Sequence, residues 1–333
     1  MGGSGRGHAP HEWQLHLHRA LAIMENLPVI VIRFALYAVL MVLAGLTAFT
    51  LYALNRKGRS LGLLPLARPA LALTLAGLVL TGLGMLALVA SMTGSSLLSV
   101  DRETMREIVS GTAIGTAWIV RMTAMMAAVA AAIALRRWPT AAHFVLLATT
   151  AVAIATLVWT GHAGATEGWI GTVHRLSDIV HMLAASAWIG GIAAFAWMLF
   201  RPETARSNMH LTVVHRALDR FSRVGALVVG LILATGIINC LAVVGFPHFT
   251  GLPLTPYGKL LIIKLLLFTA MLALAALNRW RLTPALGATI GNGDPAPTLS
   301  GLKRSLLAEG TAVVTILALV AWLGTLDPLE AAS

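Results

Sequence analysis

The densest run of chemically capable side chains is His174-Arg-Leu-Ser-Asp178-Ile-Val-His181. On a helix, offsets of four and three put His174, Asp178 and His181 on one face. Seven residues rise about 10 Å along a helix axis, so the two imidazoles cannot both bind one ion. Asp178 stands between them and reaches either. It can accept the second ring N–H of a ligating imidazole, or ligate beside it. The remaining ligands must come from other helices, and the nearest in chain order is His162, in Gly161-His162-Ala163. Softer donors accompany them: Met92, Met122, Met125, Met126, the lone Cys240 beside Asn239, and His248. Thioether and thiolate select Cu(I), while imidazole suits copper or zinc. The pattern predicts a metal ion, copper as Cu(I) or Cu(II) or else zinc, near His162, His174, Asp178 and His181. Met122, Met125 and Met126 form a candidate second station, with Met92, Cys240 and His248 as weaker candidates. The bland alternative is that methionine fills cores, a single cysteine acts as a small hydrophobe, and the histidines sit at an interface.

The elements that must carry these groups follow from composition. Of 333 residues, 58% are hydrophobic and 11% charged. Soluble domains carry about 25% charge, so a soluble domain, a disordered chain and a nucleic-acid binder are excluded together. Apolar stretches of about 20 residues span a bilayer, and about eight occur, near 27–54, 70–93, 112–135, 140–161, 172–200, 218–246, 257–277 and 305–326. The expected fold is an all-α polytopic transmembrane bundle. Residues 1–26 form a His-containing segment (His8, His11, His16, His18) and 327–333 a short tail. No cleavable signal is visible, so the first span serves as the targeting signal. One set of connections holds fourteen basic residues against three acidic ones; the other set, with the termini, holds four against eight. Positive loops face the cytoplasm, which predicts both termini outside and accounts for the net charge of +11 as an orientation signal.

Charges at membrane depth are costly and each is a functional hypothesis. Arg33, Arg121 and Lys264 have similar predicted depths toward the outer side, which suggests one polar cavity, with Arg121 and Lys264 pairing Asp178 or closing the cavity. The competing reading is snorkelling or pairing that holds the bundle together. Arg223 and Glu309 near the inner ends read as interfacial. Ser186 with Gly190, and Gly111 with Gly115, read as small-residue helix contacts. Toward the inner side only Met85, His143 and Met198 offer steps. No phosphate loop and no His-Glu-x-x-His helix is present, so neither a nucleotide nor a hydrolytic zinc site is expected, and the protein is not expected to be an enzyme.

Several segments resemble the CopD copper-resistance membrane proteins. These are His181-Met-Leu-Ala-Ala-Ser-Ala-Trp188-Ile-Gly190-Gly191, Phe221-Ser222-Arg223 through Thr235-Gly236, and Thr255-Pro256-Tyr257-Gly258-Lys259 with Lys264 and Asn278-Arg279. Thr112-x-x-Gly115-x-x-Trp118-x-x-Arg121 and Gly161-His162-Ala163 are similar too. The resemblance covers most of 27–326 and is most specific over 172–281. It implies a bacterial inner-membrane protein of copper homeostasis that accepts copper from a separate periplasmic CopC-type partner and passes it inward. His162, His181, Arg121, Tyr257 and Lys264 fall on its motifs. Two other readings compete: a haem-ligating membrane oxidoreductase, since His on adjacent helices can bind haem axially, and a copper sensor or scaffold that moves nothing.

Overall fold

The computed structural model describes residues 9–54, 58–59, 62–165, 168–200, 208–245, 251–290 and 293–326. The side chains of 9–25, His162 and Ala165 lie outside that description, as do His8, His248 and the tail 327–333. The helices are α1 (Ala9–Tyr52), α2 (Ala67–Thr93), α3 (Arg102–Gly111), α4 (Ala113–Ala134), α5 (Pro139–Ala155), α6 (Gly168–Leu199), α7 (Asn208–Val244), α8 (Pro256–Leu277), α9 (Thr283–Thr289) and α10 (Ala296–Leu323). A 3-10 turn, Thr156–Thr160, extends α5, and a π-helical turn, Asn278–Leu282, joins α8 to α9. No strand occurs among the described residues. Eight of these helical stretches are long and apolar enough to cross a membrane. Helices satisfy every backbone group internally, which is the condition for a chain in lipid.

Successive spans run in opposite directions. The near end of the bundle holds the start of the first span and the N-termini of α4, α6 and α8. The far end holds Tyr52 and the N-termini of α2, α5, α7 and α10. α1 runs unbroken from Ala9 and starts well before the apolar stretch.

The spans lie close to where hydropathy places them, because twenty-odd apolar residues admit few other structures. Turn chemistry sets the ends. Thr112 and Thr255 accept the backbone N–H of Gly115 and Gly258 with their hydroxyls, at 3.0 and 2.8 Å. Each therefore caps its helix and satisfies an orphan donor. Pro256 follows in the first turn, where its missing N–H costs nothing. The connection before α4 folds as the short helix α3, capped by Asp101 through the N–H of Thr104 at 2.9 Å.

α1 is the hub and packs on α2, α5, α6 and α10. Its contact with α6 is backbone to backbone. A Cβ on Gly45 would fall 2.0 Å from the Ser186 carbonyl oxygen, and one on Gly190 2.0 Å from the Gly45 carbonyl carbon. The Ser186/Gly190 pair is thus a helix contact, as its spacing predicts. Gly111 and Gly115 behave otherwise: Gly111 meets nothing, and Gly115 abuts the carbonyls of Ile108 and Val109. The pair makes the tight corner between α3 and α4, because a break at Thr112 separates the two glycines onto different helices. Toward the far end Phe49, Phe195 and Phe221 stack edgewise, with Phe49–Phe195 centroids 5.0 Å apart and Phe195–Phe221 5.4 Å apart. α7 packs on α6, and α8 packs on α10.

Candidate metal-handling site

At the near end α6, α7 and α8 bring polar groups together. The Nδ1 of His181 lies 3.0 Å from the hydroxyl oxygen of Thr235. That hydroxyl donates its single proton to the Leu231 carbonyl one turn back. The Thr235 oxygen can then only accept, so the proton on the imidazole belongs at Nδ1. In that tautomer Nε2 carries the lone pair, as a metal ligand requires. One turn earlier on α6, Asp178 accepts from Asn239 Nδ2 at 3.1 Å. The Asn239 carbonyl oxygen is buried without a partner. Ser177 donates to the Thr235 carbonyl at 3.2 Å and ties the two helices. Acceptors therefore gather here: an imidazole lone pair, a carboxylate and an orphan amide oxygen. An acceptor-rich, half-buried set is complementary to a cation. Lys264 on α8 is the cation near enough to influence Asp178, His181 and Cys240 electrostatically, without an ion pair to Asp178 within 4.0 Å. Tyr257 and half-buried Cys240 pack beside them with Val244 and Leu323.

The glycines of these segments make room for this arrangement. Gly190 admits the backbone of α1, and Gly191 admits the ring of Phe221, which a Cβ would approach to 2.2 Å. Gly236 lies against the His181 ring at ordinary contact distance, 3.6 Å from a would-be Cβ to Cε1. Gly258 presses on the Leu252 carbonyl. The Trp-x-Gly-Gly, Thr-Gly and Thr-Pro-Tyr-Gly runs are thus the seats and caps that set His181 and Lys264 at their depth.

Among the described residues, no three His, Cys, Asp or Glu side chains are grouped to hold a metal ion. His174 is on the predicted face but is buried, at 3% exposure. The side chain of His162 and the whole of His248 lie outside the described residues. The methionines of the candidate second station differ in exposure, and Met122 is half-buried on α4. Met125 is fully buried against Gly77 and the α1 core, Met126 is 54% exposed on the outer surface, and Met92 is 64% exposed near a helix end. Met125 and Met126 are neighbours 100° apart on α4, so they diverge. The inner steps are packing too: Met85 and Met198 are core residues, and His143 turns back to the Pro139 carbonyl.

The expected single cavity with Arg33, Arg121 and Lys264 divides in two. Lys264 belongs to the His181 group. Arg33 and Arg121 line another cavity with Tyr37, and Lys264 is not part of its lining. Arg121 does not pair with Asp178, which is held by Asn239.

One further polar group was not legible in sequence. Glu309 on α10 is not interfacial but buried, at 4% exposure. It accepts from Asn278 Nδ2 at 2.6 Å and from Ser305 Oγ at 3.1 Å. It faces a chamber of about 380 Å³ toward the far end, lined also by Trp188, Phe221, Ser222 and Arg279. Arg279, also on the lining, donates to the Ser222 carbonyl at 3.1 Å. Arg223, in contrast, is exposed and pairs with Asp219 at 3.0 Å, as an interfacial residue does.

The chain matches two family models, "Copper resistance protein D-like, N-terminal domain" over residues 24–172 and "Copper resistance protein D" over residues 215–323. It is 38% identical to Copper resistance protein D of Pseudomonas syringae pv. tomato over 308 residues, 92% of this chain and 98% of that relative. The chain belongs to the copper resistance protein D family. It is also 28% identical to Inner membrane protein YebZ of Escherichia coli (strain K12), over 75% of this chain and 81% of that one. A 120-residue stretch is 34% identical to Copper transport protein CutJ of Bacillus subtilis (strain 168), covering 36% of this chain and 21% of that relative. No solved structure matches. As a member of this copper resistance and transport family with eight apolar spans, the protein is a multi-pass inner-membrane protein.

Proposed function

We propose that the protein carries copper across the inner membrane, inward from the periplasm, with the His181 group as its entry station. The reading rests on one observation above the rest: Thr235 fixes the proton of His181 on Nδ1 and puts the lone pair on Nε2, beside Asp178 and the unpaired oxygen of Asn239. The near end is then the periplasmic face and both termini lie there, because the far-end connections carry the basic excess. His162, one short connection before α6, is the candidate to complete the ligand set, with His174 and Cys240 behind it. A periplasmic copper-binding protein of the CopC type delivers the ion, since the near-end connections are acidic overall and of the sign that meets a cation or its carrier.

In this scheme Lys264 balances Asp178 while no metal is bound. Copper entry then requires the ammonium to withdraw, because two cations cannot share one small acceptor set. Lys264 thereby resets the station after each ion leaves. The test is copper uptake into proteoliposomes holding the purified protein, with His181→Ala and Lys264→Met alongside. Uptake well above empty vesicles, abolished by His181→Ala, supports the reading. Lys264→Met should retain copper more tightly and turn over more slowly. Uptake by His181→Ala at the unsubstituted rate would refute this entry station.

A further inference from the structure

Arg121 on α4 is 4% exposed and Arg33 is half-buried on α1. They line the same near-end cavity, of about 50 Å³, with Tyr37 between them in chain order on α1. Arg33 donates through Nη2 to the Thr160 carbonyl at 3.2 Å, and its Nη1 is buried with no partner. Gly324 at the end of α10 leaves the room this guanidinium occupies, since a Cβ there would fall 2.2 Å from Nη1. Arg121 has a buried Nε with no partner. Among the described residues neither guanidinium forms an ion pair with a carboxylate. Asp178 is felt at Tyr37 but is held by Asn239. The remaining walls, including Val29, Ile32, Leu36 and Leu157, are apolar.

A guanidinium cannot discard its charge in a protein. Two of them facing one apolar-walled cavity carry a desolvation and repulsion cost of several kcal/mol in general, which a counter-charge relieves. Among the described residues no carboxylate pairs with either guanidinium to supply that charge. We propose that Arg33, Arg121 and Tyr37 form a binding site for one small inorganic anion of about the size of chloride. The cavity has room for a few water-sized spheres at roughly 10–15 Å³ each, which fits a monatomic or small planar anion and excludes a phospholipid headgroup with its glycerol. Two buried donors without a partner belong to this lining, Arg33 Nη1 and Arg121 Nε, and the Tyr37 side chain lines the same cavity. Apolar walls strengthen each of these attractions by lowering the local dielectric. The site does not depend on the copper reading, because the unpaired guanidiniums exist whatever the protein carries. Where copper does pass His181, a bound anion lowers the positive potential that the two arginines would otherwise set against it.

The test uses the full chain purified in uncharged detergent. Thermal unfolding is followed in sodium chloride, bromide or nitrate and in sodium gluconate at equal ionic strength. Chloride, bromide and nitrate should each raise the midpoint by several degrees, saturating with concentration as a single site does, and gluconate should not. Arg121→Gln should lose that dependence and, in gluconate, melt no lower than the unsubstituted chain, because an uncompensated charge has gone. Arg121→Lys keeps the charge and should retain a weaker rise. It serves as the second variant if Arg121→Gln does not fold. Equal midpoints in chloride and gluconate would overturn the site. So would a chloride rise unchanged in Arg121→Gln or Arg121→Lys. A rise produced in gluconate by phosphatidylglycerol, with no further effect of chloride, would also overturn it by assigning the cavity to a lipid phosphate.

Discussion

Replacing Gly190 by alanine should destabilise this protein severely. The new Cβ would lie 2.0 Å from the carbonyl carbon of Gly45 and 2.3 Å from its Cα. Carbon atoms rest about 3.5–4.0 Å apart, so α1 and α6 must separate by about 1.5 Å at the crossing. The obstacle is backbone, and no rotamer change can relieve it. Overpacking a well-filled interior costs roughly 1–3 kcal/mol when side chains can shift. Here about 3 kcal/mol or more is expected, because the displacement also loosens the Phe49–Phe195 contact of the same helix pair. Denaturant or thermal unfolding in detergent measures the loss. Two alanine variants calibrate it. Gly310→Ala meets nothing within 4 Å and should gain up to about 1 kcal/mol from helix propensity. Gly236→Ala meets only the His181 ring, at 3.6 Å, and should be close to neutral. If Gly190→Ala unfolds within about 0.5 kcal/mol of Gly310→Ala, the close approach of α1 and α6 is not real.

Three more outcomes follow from the sites. Thr235→Val removes the oxygen that receives the His181 N–H, so copper affinity should fall roughly 10–100-fold, the usual effect of losing such an orienting partner. Isothermal titration with Cu(I) and Cu(II) reads it, and unchanged affinity would detach Thr235 from the site. Glu309→Ala strands the side chains of Asn278 and Ser305 in a buried setting and should cost about 2–3 kcal/mol, with Glu309→Gln costing less; equal unfolding midpoints for both variants and the unsubstituted chain would contradict the buried position. Asp101 is held below the ordinary carboxylate range, first by the backbone N–H of Thr104 and then by that residue's hydroxyl. A depressed acid contributes above its unfolded pKa and loses its contribution as pH falls through the folded one. Amide exchange at Thr104 should therefore quicken only below the ordinary carboxylate value of 3.8, and Asp101→Ala should make it fast at every pH.

The membrane spans were legible because hydropathy and length leave a chain in lipid little choice. The face of α6 carrying Asp178 and His181 was legible because helical spacing is local. What the spacing could not supply was the partner helix. Thr235 and Asn239 look like ordinary polar residues in a span until α7 lies against α6, and then one fixes a tautomer while the other holds a carboxylate. The methionines illustrate the converse. Their chemistry was plausible, but only packing shows that Met125 and Met126 face apart. Glu309 was misplaced because counting residues from a helix end gives depth, not burial. Arg223 on α7 was also placed near an inner span end, and it is exposed. Asn278 was the available signal: a carboxamide ending one span, facing a carboxylate in the next.

The glycine crossing of α1 and α6 also has a mechanical consequence. Two helices whose backbones touch can neither slide nor twist past each other without a clash, so this pair behaves as a fixed pillar. α1 also grips α2, α5 and α10, which ties most of the bundle to that pillar. The elements with the freest margins are α7 and α8. They flank the chamber below Trp188 from separate supports, α6 and α10 respectively. Any rearrangement that exposes first one face of the membrane and then the other must be taken up there. Its hinge then falls at the π-helical turn Asn278–Leu282, where the backbone hydrogen-bond register already changes.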